Sequence, residues 1–148
     1  MVEKAVLDTS VIISGLVGSG SSNEVLRRVL TGRLRIILSA EIFKEYLKAV
    51  HYPRLRIPSL YAYAVLSRIH ALSEMVSPQS RIRICRDPED DKFLEAAYEA
   101  KANFIITLNH DLTDLRNPST RDLTIYDYKV KILTPKEFLQ IQRERRDI

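Results

Sequence analysis

Acids that directly follow short apolar runs are the residues of this chain best placed to do chemistry. Asp8 closes the run Lys4-Ala-Val-Leu, and Asp111 follows Phe104-Ile-Ile across a few polar residues. In an open parallel sheet, ligands bind beyond the carboxyl ends of the strands, so both acids would stand on one rim. Glu45 is placed by helical arithmetic: Ile42, Phe43, Tyr46, Leu47 and Val50 make one apolar face, and Glu45 falls on its flank, about 300° round from Ile42. Asp87-Pro-Glu-Asp-Asp91 puts four carboxylates in five positions. Helix capping accounts for Asp87 and partly for Glu89 and Asp90, but less well for Asp91. Each acid alone has an ordinary explanation: a turn bond for Asp8, a solvated helix face for Glu45. As a set, two acids on a strand rim, one on a helix flank and one at a helix start can converge. Carboxylate oxygens are hard ligands that suit Mg²⁺ or Mn²⁺. A site of that kind activates water and stabilises charge on a phosphoryl group.

Other chemistries fail on spacing. Gly15, Gly18 and Gly20 give G-x-x-G-x-G with no following Gly-Lys-Ser/Thr, which is neither a dinucleotide fingerprint nor a phosphate loop. An aspartyl-phosphate enzyme would want an acid two residues after Asp8, where Ser10 stands. Cys85 with His110 would make a thiol nucleophile, but a lone cysteine at a strand end reads first as a small packed residue. The three histidines, His51, His70 and His110, have no ligand-like spacing.

The elements that must position these acids alternate between short apolar strands and amphipathic helices. Strands are expected at 4–8, 35–38 and 103–107, with a third candidate at 81–85 and strand material over 122–133 interrupted by Asp127. Residues 11–17 continue apolar, and 18–22 break the pattern. Helices are expected over 24–30, capped by Ser22 or Asn23, and from Ser39 to about residue 50. Further helices are expected over 59–75, from Asp87 to about residue 100, and from Pro135 to the arginines at 143–146. Residues 51–58 read as a connector and 109–121 as a polar loop. This pattern predicts an α/β fold with a mainly parallel sheet and helices on both faces.

The 148 residues are 45% hydrophobic and 28% charged, which excludes a disordered chain and fits a single domain over 1–148. One cysteine excludes an intramolecular disulfide and fits a reducing compartment. With no run of about 18 apolar residues and no signal-like start, the expectation is a cytoplasmic protein without a membrane partner. The net charge of +4 permits a nucleic-acid partner without demanding one. Arginines cluster at Arg27, Arg28, Arg33 and Arg35, at Arg81, Arg83 and Arg86, and at Arg143, Arg145 and Arg146. Most such runs are solvated faces, and those that reach a groove can contact phosphate. Tyr52, Tyr61 and Tyr63 could stack on bases or pack at an interface.

Together these stretches resemble the PIN domain, a family of metal-dependent ribonucleases, most closely its branch of VapC-like toxins from toxin–antitoxin systems. The likeness rests on Val6-Leu-Asp8-Thr-Ser10-Val-Ile-Ile-Ser-Gly15, Leu38-Ser-Ala-Glu-Ile-Phe-Lys-Glu45-Tyr46 with Tyr52-Pro-Arg54, and Asp87-Pro-Glu-Asp-Asp91-Lys-Phe-Leu-Glu-Ala-Ala97. It continues through Ala102-Asn-Phe-Ile-Ile-Thr107 with Asp111-Leu112, and Ile132-Leu-Thr-Pro135-Lys-Glu-Phe138-Leu139, in family order over nearly the whole chain. The resemblance implies a three-layer α/β/α fold and hydrolysis of RNA by metal-activated water. It implies Asp8, Glu45, Asp91 and Asp111 as catalytic acids that hold one or two Mg²⁺ or Mn²⁺ ions, with Asp90 as the rival of Asp91. Ser10 would orient the carboxylates, and Ser10 and Asn109 would lie on the substrate side. Where the family often has Thr-Gly-Asp-x-Asp-Leu, this chain has Thr107-Leu-Asn109-His-Asp111-Leu, so Asn109 replaces one acid with an uncharged ligand. His110 would lie near a phosphate or simply on a surface loop. RNA, an antitoxin protein and a second copy of the chain, through 60–75, are the implied partners. A PIN domain that binds RNA or protein without cutting, and a small-molecule phosphohydrolase on a similar sheet, are the alternatives.

Overall fold

Three runs, Ala5-Val-Leu, Ile36-Ile-Leu and Phe104-Ile-Ile, carry no polar residue and are wholly buried. Strands apolar on both sides must be covered on both faces, and a parallel sheet with crossover helices does this. The computed structural model of the chain, which describes residues 2–18 and 20–146, has that arrangement. Strands β1 (Lys4–Leu7), β2 (Arg35–Leu38), β3 (Glu74–Met75), β4 (Phe104–Ile106), β5 (Asp122–Ile125) and β6 (Tyr128–Leu133) form one sheet in the order β3-β2-β1-β4-β6-β5. All neighbours are parallel except the β5–β6 hairpin. The helices are α1 (Thr9–Val17), α2 (Ser21–Leu30), α3 (Ala40–Ala49), α4 (Ser59–Leu72), α5 (Asp91–Ala100), α6 (His110–Thr113) and α7 (Pro135–Arg146). Helix α5 crosses β1, β2 and β4, while α2 packs on α1, α4 and α7. Among the described residues no helix is long and apolar enough to cross a membrane.

From β1 the chain steps to β2 and β3 on one side, then returns through α5 to β4 on the other. The sheet therefore reverses its winding between β1 and β4, and their carboxyl ends open a crevice. Ala5 pairs with Phe104, Val6 with Ile105 and Leu7 with Ile106. This register brings Asp8 and Thr107, the next residue of each strand, side by side.

Several elements differ from the sequence expectation. Residues 11–17 belong to α1, which starts at once because Asp8 caps it. Helix α2 begins at Ser21, after Gly20 at φ 105°, three residues before the expected start, so Ser22 and Asn23 lie inside it and neither is its cap. The Asn23 amide instead donates to the Gly15 carbonyl at 2.9 Å. A methyl group at Gly15 would stand 3.1 Å from the Ser22 carbonyl oxygen, so this glycine lets α1 and α2 approach. The helix expected over 59–75 stops at Leu72, and Glu74–Met75 joins the sheet edge beside Ile37 and Leu38. Part of the polar loop, His110–Thr113, is helical because Asn109 caps it.

The expected strand at 81–85 does not form. Its amides are taken by side chains of α5: Glu95 accepts from Ile82 N–H at 3.0 Å, and Asp91 accepts from Ile84 and Cys85 N–H at 3.2 and 2.9 Å. Glu99 accepts from Gln79 N–H at 2.9 Å. Positions 91, 95 and 99 lie one above another on a helix, so this stripe of acids holds the extended segment where a neighbouring strand would otherwise pair.

Candidate active site

The β1–β4 crevice is built around Asp8. Its Oδ2 accepts hydrogen bonds from Thr107 Oγ at 2.6 Å and Ser10 Oγ at 2.9 Å. Asp8 is 5% exposed, and Thr107 is fully buried. Burial raises the Asp8 pKa above its usual value; the hydroxyls of Thr107 and Ser10 oppose this, and the charge of Glu45 adds to it. Ser10 Oγ in turn accepts from Leu108 N–H at 3.2 Å, tying α1 to the loop after β4.

Helix α3 brings Glu45 to the same rim. Ser39 caps the helix, and the buried Tyr46 hydroxyl donates to the Leu7 carbonyl, fixing α3 against the end of β1. Glu45 Oε2 accepts from the Thr9 hydroxyl, and Oε1 lies 2.7 Å from Lys92 Nζ. The Lys92 side chain is 6% exposed and also donates to the Glu89 carbonyl.

Of the two adjacent acids at the start of α5, Asp90 faces the crevice. Its Oδ2 accepts from Asn109 Nδ2 at 2.9 Å. Burial and the charge of Asp8 raise its pKa to about 6, against the opposing Asn109 bond and the Lys92 charge. Asp91, the residue the sequence favoured, has its Oδ1 bound to the Ile84 and Cys85 amides. A one-residue step rotates a helix position by about 100°, and that rotation turns the two neighbours towards different partners. Burial, with the Asp91 carboxylate beside it, pushes the Cys85 thiol well up, which opposes a nucleophilic role.

Asn109 links the far side. Its N–H donates to Thr107 Oγ at 2.8 Å, and its Oδ1 accepts from Asp111 N–H at 2.9 Å. Asp111 Oδ1 pairs with Arg86 Nε at 3.2 Å, and Arg86 also pairs with Asp114 at 2.5 Å. His110 is exposed. A continuous set of bonds therefore joins Asp8, Thr107, Asn109 and Asp90, with Glu45 beside Asp8 and Asp111 at the outer edge. Thr9, Lys92 and Thr107 were not singled out from sequence, and Arg86 was named only within an arginine cluster. Thr107 carried one usable signal: it follows β4 as Asp8 follows β1. An open groove of about 400 Å³ runs beside Glu45, lined by Glu41, Lys44, Glu45, Lys48, Glu89 and Lys92.

Among the described residues, no three acid, histidine or cysteine side chains are already gathered as a metal centre. The donor chemistry nonetheless fits a small divalent cation. Asp8 and Asp90 are hard oxygen donors, burial raises both pKa values, and neither is paired with a cation at hydrogen-bond distance. Glu45 would be the third donor, on leaving Lys92.

A PIN-domain family model matches residues 4–111 of the chain. An uncharacterised protein of Methanocaldococcus jannaschii is 33% identical over 141 residues, which is 93% of this chain and 90% of that protein. Among solved structures, a Pyrobaculum aerophilum protein known from its crystal structure superposes with a TM-score of 0.57 over 96% of this chain and 90% of its own. At 12% identity, that likeness concerns the fold.

Proposed function

Because the chain belongs to the PIN-domain family, we propose that it is a Mg²⁺- or Mn²⁺-dependent endoribonuclease and the toxin of a type II toxin–antitoxin pair. PIN domains are generally nucleases. The observation that carries the reading is the buried Asp8 carboxylate at the β1–β4 reversal, held by Thr107 and Ser10 beside a second acid, Asp90, whose pKa is about 6.

In this reading Asp8 and Asp90 would hold the ion, with Glu45 as the third ligand once released from Lys92. A divalent ion at such carboxylates supplies positive charge for phosphoryl oxygens and a more acidic water. The chain's own residues do the rest. Thr107 and Ser10 fix the Asp8 carboxylate through Oδ2, and Asn109 fixes Asp90. Asp111 keeps Arg86 at the rim, where a guanidinium can grip a backbone phosphate in fork geometry. Lys44 and Lys48, along the groove beside Glu45, add sequence-independent attraction for a polyanion. Asp91 is assigned to holding the 79–85 segment, not to the ion. RNA is the substrate, an antitoxin protein the regulator, and a second copy of the chain the partner across the exposed side of α4.

The test is cleavage of a panel of single-stranded RNAs with Mn²⁺, with Mg²⁺ and with chelator, by the native protein and by Asp8→Asn. Cleavage that needs the ion and vanishes in the variant is expected; no cleavage under any condition would sink the nuclease. A non-cutting PIN domain that binds RNA or protein is the second reading. It is favoured by the pairing of Glu45 with Lys92 and of Asp111 with Arg86, which leaves fewer free acids than an active site usually offers.

A further inference from the structure

Four acids stand at the crevice, and two of them are already in contact with a cation, Glu45 with Lys92 and Asp111 with Arg86. Among the described residues Asp8 and Asp90 have no such partner, and a pair of carboxylates suits one divalent ion.

The two cations are not equivalent. Arg86 is 68% exposed, on a loop, and shared with Asp114. Lys92 is 6% exposed, on the first turn of α5, and its ammonium lies between Glu45 and the α5 start. Stripping water from an ammonium is costly unless its surroundings repay it with paired charges and acceptors. Here they are Glu45 Oε1 at 2.7 Å, the Glu89 carbonyl, and Glu89 Oε2 at 3.8 Å. Glu89 is 83% exposed and Glu45 33%, so the better-shielded acid that holds the ammonium is Glu45.

We infer that Lys92 is a built-in cation that stands in for a second divalent ion, so that this site binds one ion and Lys92 sets both its number and its affinity. The inference rests on the metal-dependent reading above. It makes Lys92 a positioning residue: it acts on the ion and on Glu45 and does not touch substrate. An ordinary structural lysine would affect folding, but it would leave the number of bound ions unchanged.

Native mass spectrometry and calorimetry with Mn²⁺ alone test this without any RNA. The native protein should bind one ion per chain. Lys92→Met keeps the stem and removes the charge; it should bind two ions, or one at least about tenfold more tightly, because a like charge has left the site. In chelator Lys92→Met should melt earlier than the native protein and regain the loss on adding Mn²⁺. Lys92→Arg, which keeps the charge, should restore single-ion binding. Two ions on the native protein would overturn the inference even if every Lys92 variant failed to fold. Equal number and affinity in native and Lys92→Met would overturn it while leaving the nuclease reading standing. Binding by neither protein would overturn both.

Discussion

Two adjacent aspartates, Asp90 just before helix α5 and Asp91 its first residue, serve two regions of the molecule. On one side, Asp90 meets Asn109 in the crevice with Asp8. On the other, Asp91, Glu95 and Glu99 accept hydrogen bonds from the backbone of residues 79–85. Both regions are rich in carboxylates, yet the partners differ in kind. The outer stripe bonds to backbone amides, so it holds a length of chain in place. In the crevice, Asp8 and Asp90 are held mainly by side chains, the Thr107 and Ser10 hydroxyls and the Asn109 amide, which orient a carboxylate without tying it to a backbone segment. Partner type, rather than acid density, separates a carboxylate that holds the chain from one free to meet a ligand.

The largest expected effect is at the centre of the crevice. Asp8→Asn keeps an oxygen for Thr107 and Ser10 and removes the charge, so the melting temperature should hold. Metal-dependent cleavage should fall by at least about a hundredfold, the scale of losing one key electrostatic group. A loss below about tenfold in purified protein would place the reaction elsewhere.

Next comes the exchange between neighbours. Asp91→Ala strands two backbone donors and should cost about 1–3 kcal/mol in a denaturant melt, while leaving Mn²⁺ affinity near native. Asp90→Asn should do the reverse: little stability change, and weakened ion binding by calorimetry. If Asp91→Ala weakened the ion and Asp90→Asn did not, the comparison above would be inverted.

A crevice acid and an acid paired with arginines elsewhere in the fold, Glu137, should answer pH with opposite signs. Asp90 has a folded pKa of about 6, above its usual 3.8. Between about pH 4 and 6 the unfolded chain has lost this proton and the folded one keeps it, so apo stability should fall as pH rises through that window. Glu137 behaves oppositely: burial pushes its pKa up, but Arg116, the Thr134 amide and Arg121 outweigh that and hold it at about 2. Its contribution is present above its usual 4.5 and is lost as pH falls towards 2. Melts in chelator across pH 2–7 should show both slopes. Asp90→Asn should shrink only the upper one, leaving the part that Asp8 supplies with the same sign, and an upper slope unchanged in that variant would have another source.

Much of this contrast was legible in the sequence, and the unread part has a physical pattern. Asp8 at the end of an apolar run, Glu45 on a helix flank and the parallel alternation all follow from local periodicity. Residues 11–17 were unreadable as a helix because they are apolar on nearly every side and give little amphipathic signal. The alternating Ile82 and Ile84 read as a strand, but the partner of that segment is a stripe of acids at 91, 95 and 99, visible only once α5 packs beside it. The difference between Asp90 and Asp91 is one helix step, finer than any sequence boundary. Nothing in the sequence around Lys92 marks it, since its partner Glu45 lies on another helix.

Asn109 sharpens the site itself. Its amide donates to Asp90 at 2.9 Å, so Asn109→Asp would replace a donor by a like charge facing Asp90. The apo protein should lose stability, and the Mn²⁺ affinity should rise several-fold, because the added carboxylate joins the donors and the ion relieves the new repulsion. Calorimetry giving the same affinity for both proteins would place Asn109 outside the ligand shell.

The smallest effect on the folded chain is expected on α4, where Ala62, Leu66 and Ile69 are buried but Leu60, Tyr61 and Tyr63 are exposed, Leu60 to 87%. A glutamate at so open a position removes almost no packing, so Leu60→Glu should change the stability of a monomer by less than about 0.5 kcal/mol. Its effect on assembly should be far larger if these side chains cover one another in a pair, because a two-fold interface meets itself and places both new charges on the same patch. Light scattering at micromolar concentration should then give a dimer mass for the native chain and a monomer mass for Leu60→Glu. A monomer mass for both would remove the second copy from the list of partners and leave these tyrosines free for another role. A dimer mass for both would move the interface to another face of the molecule.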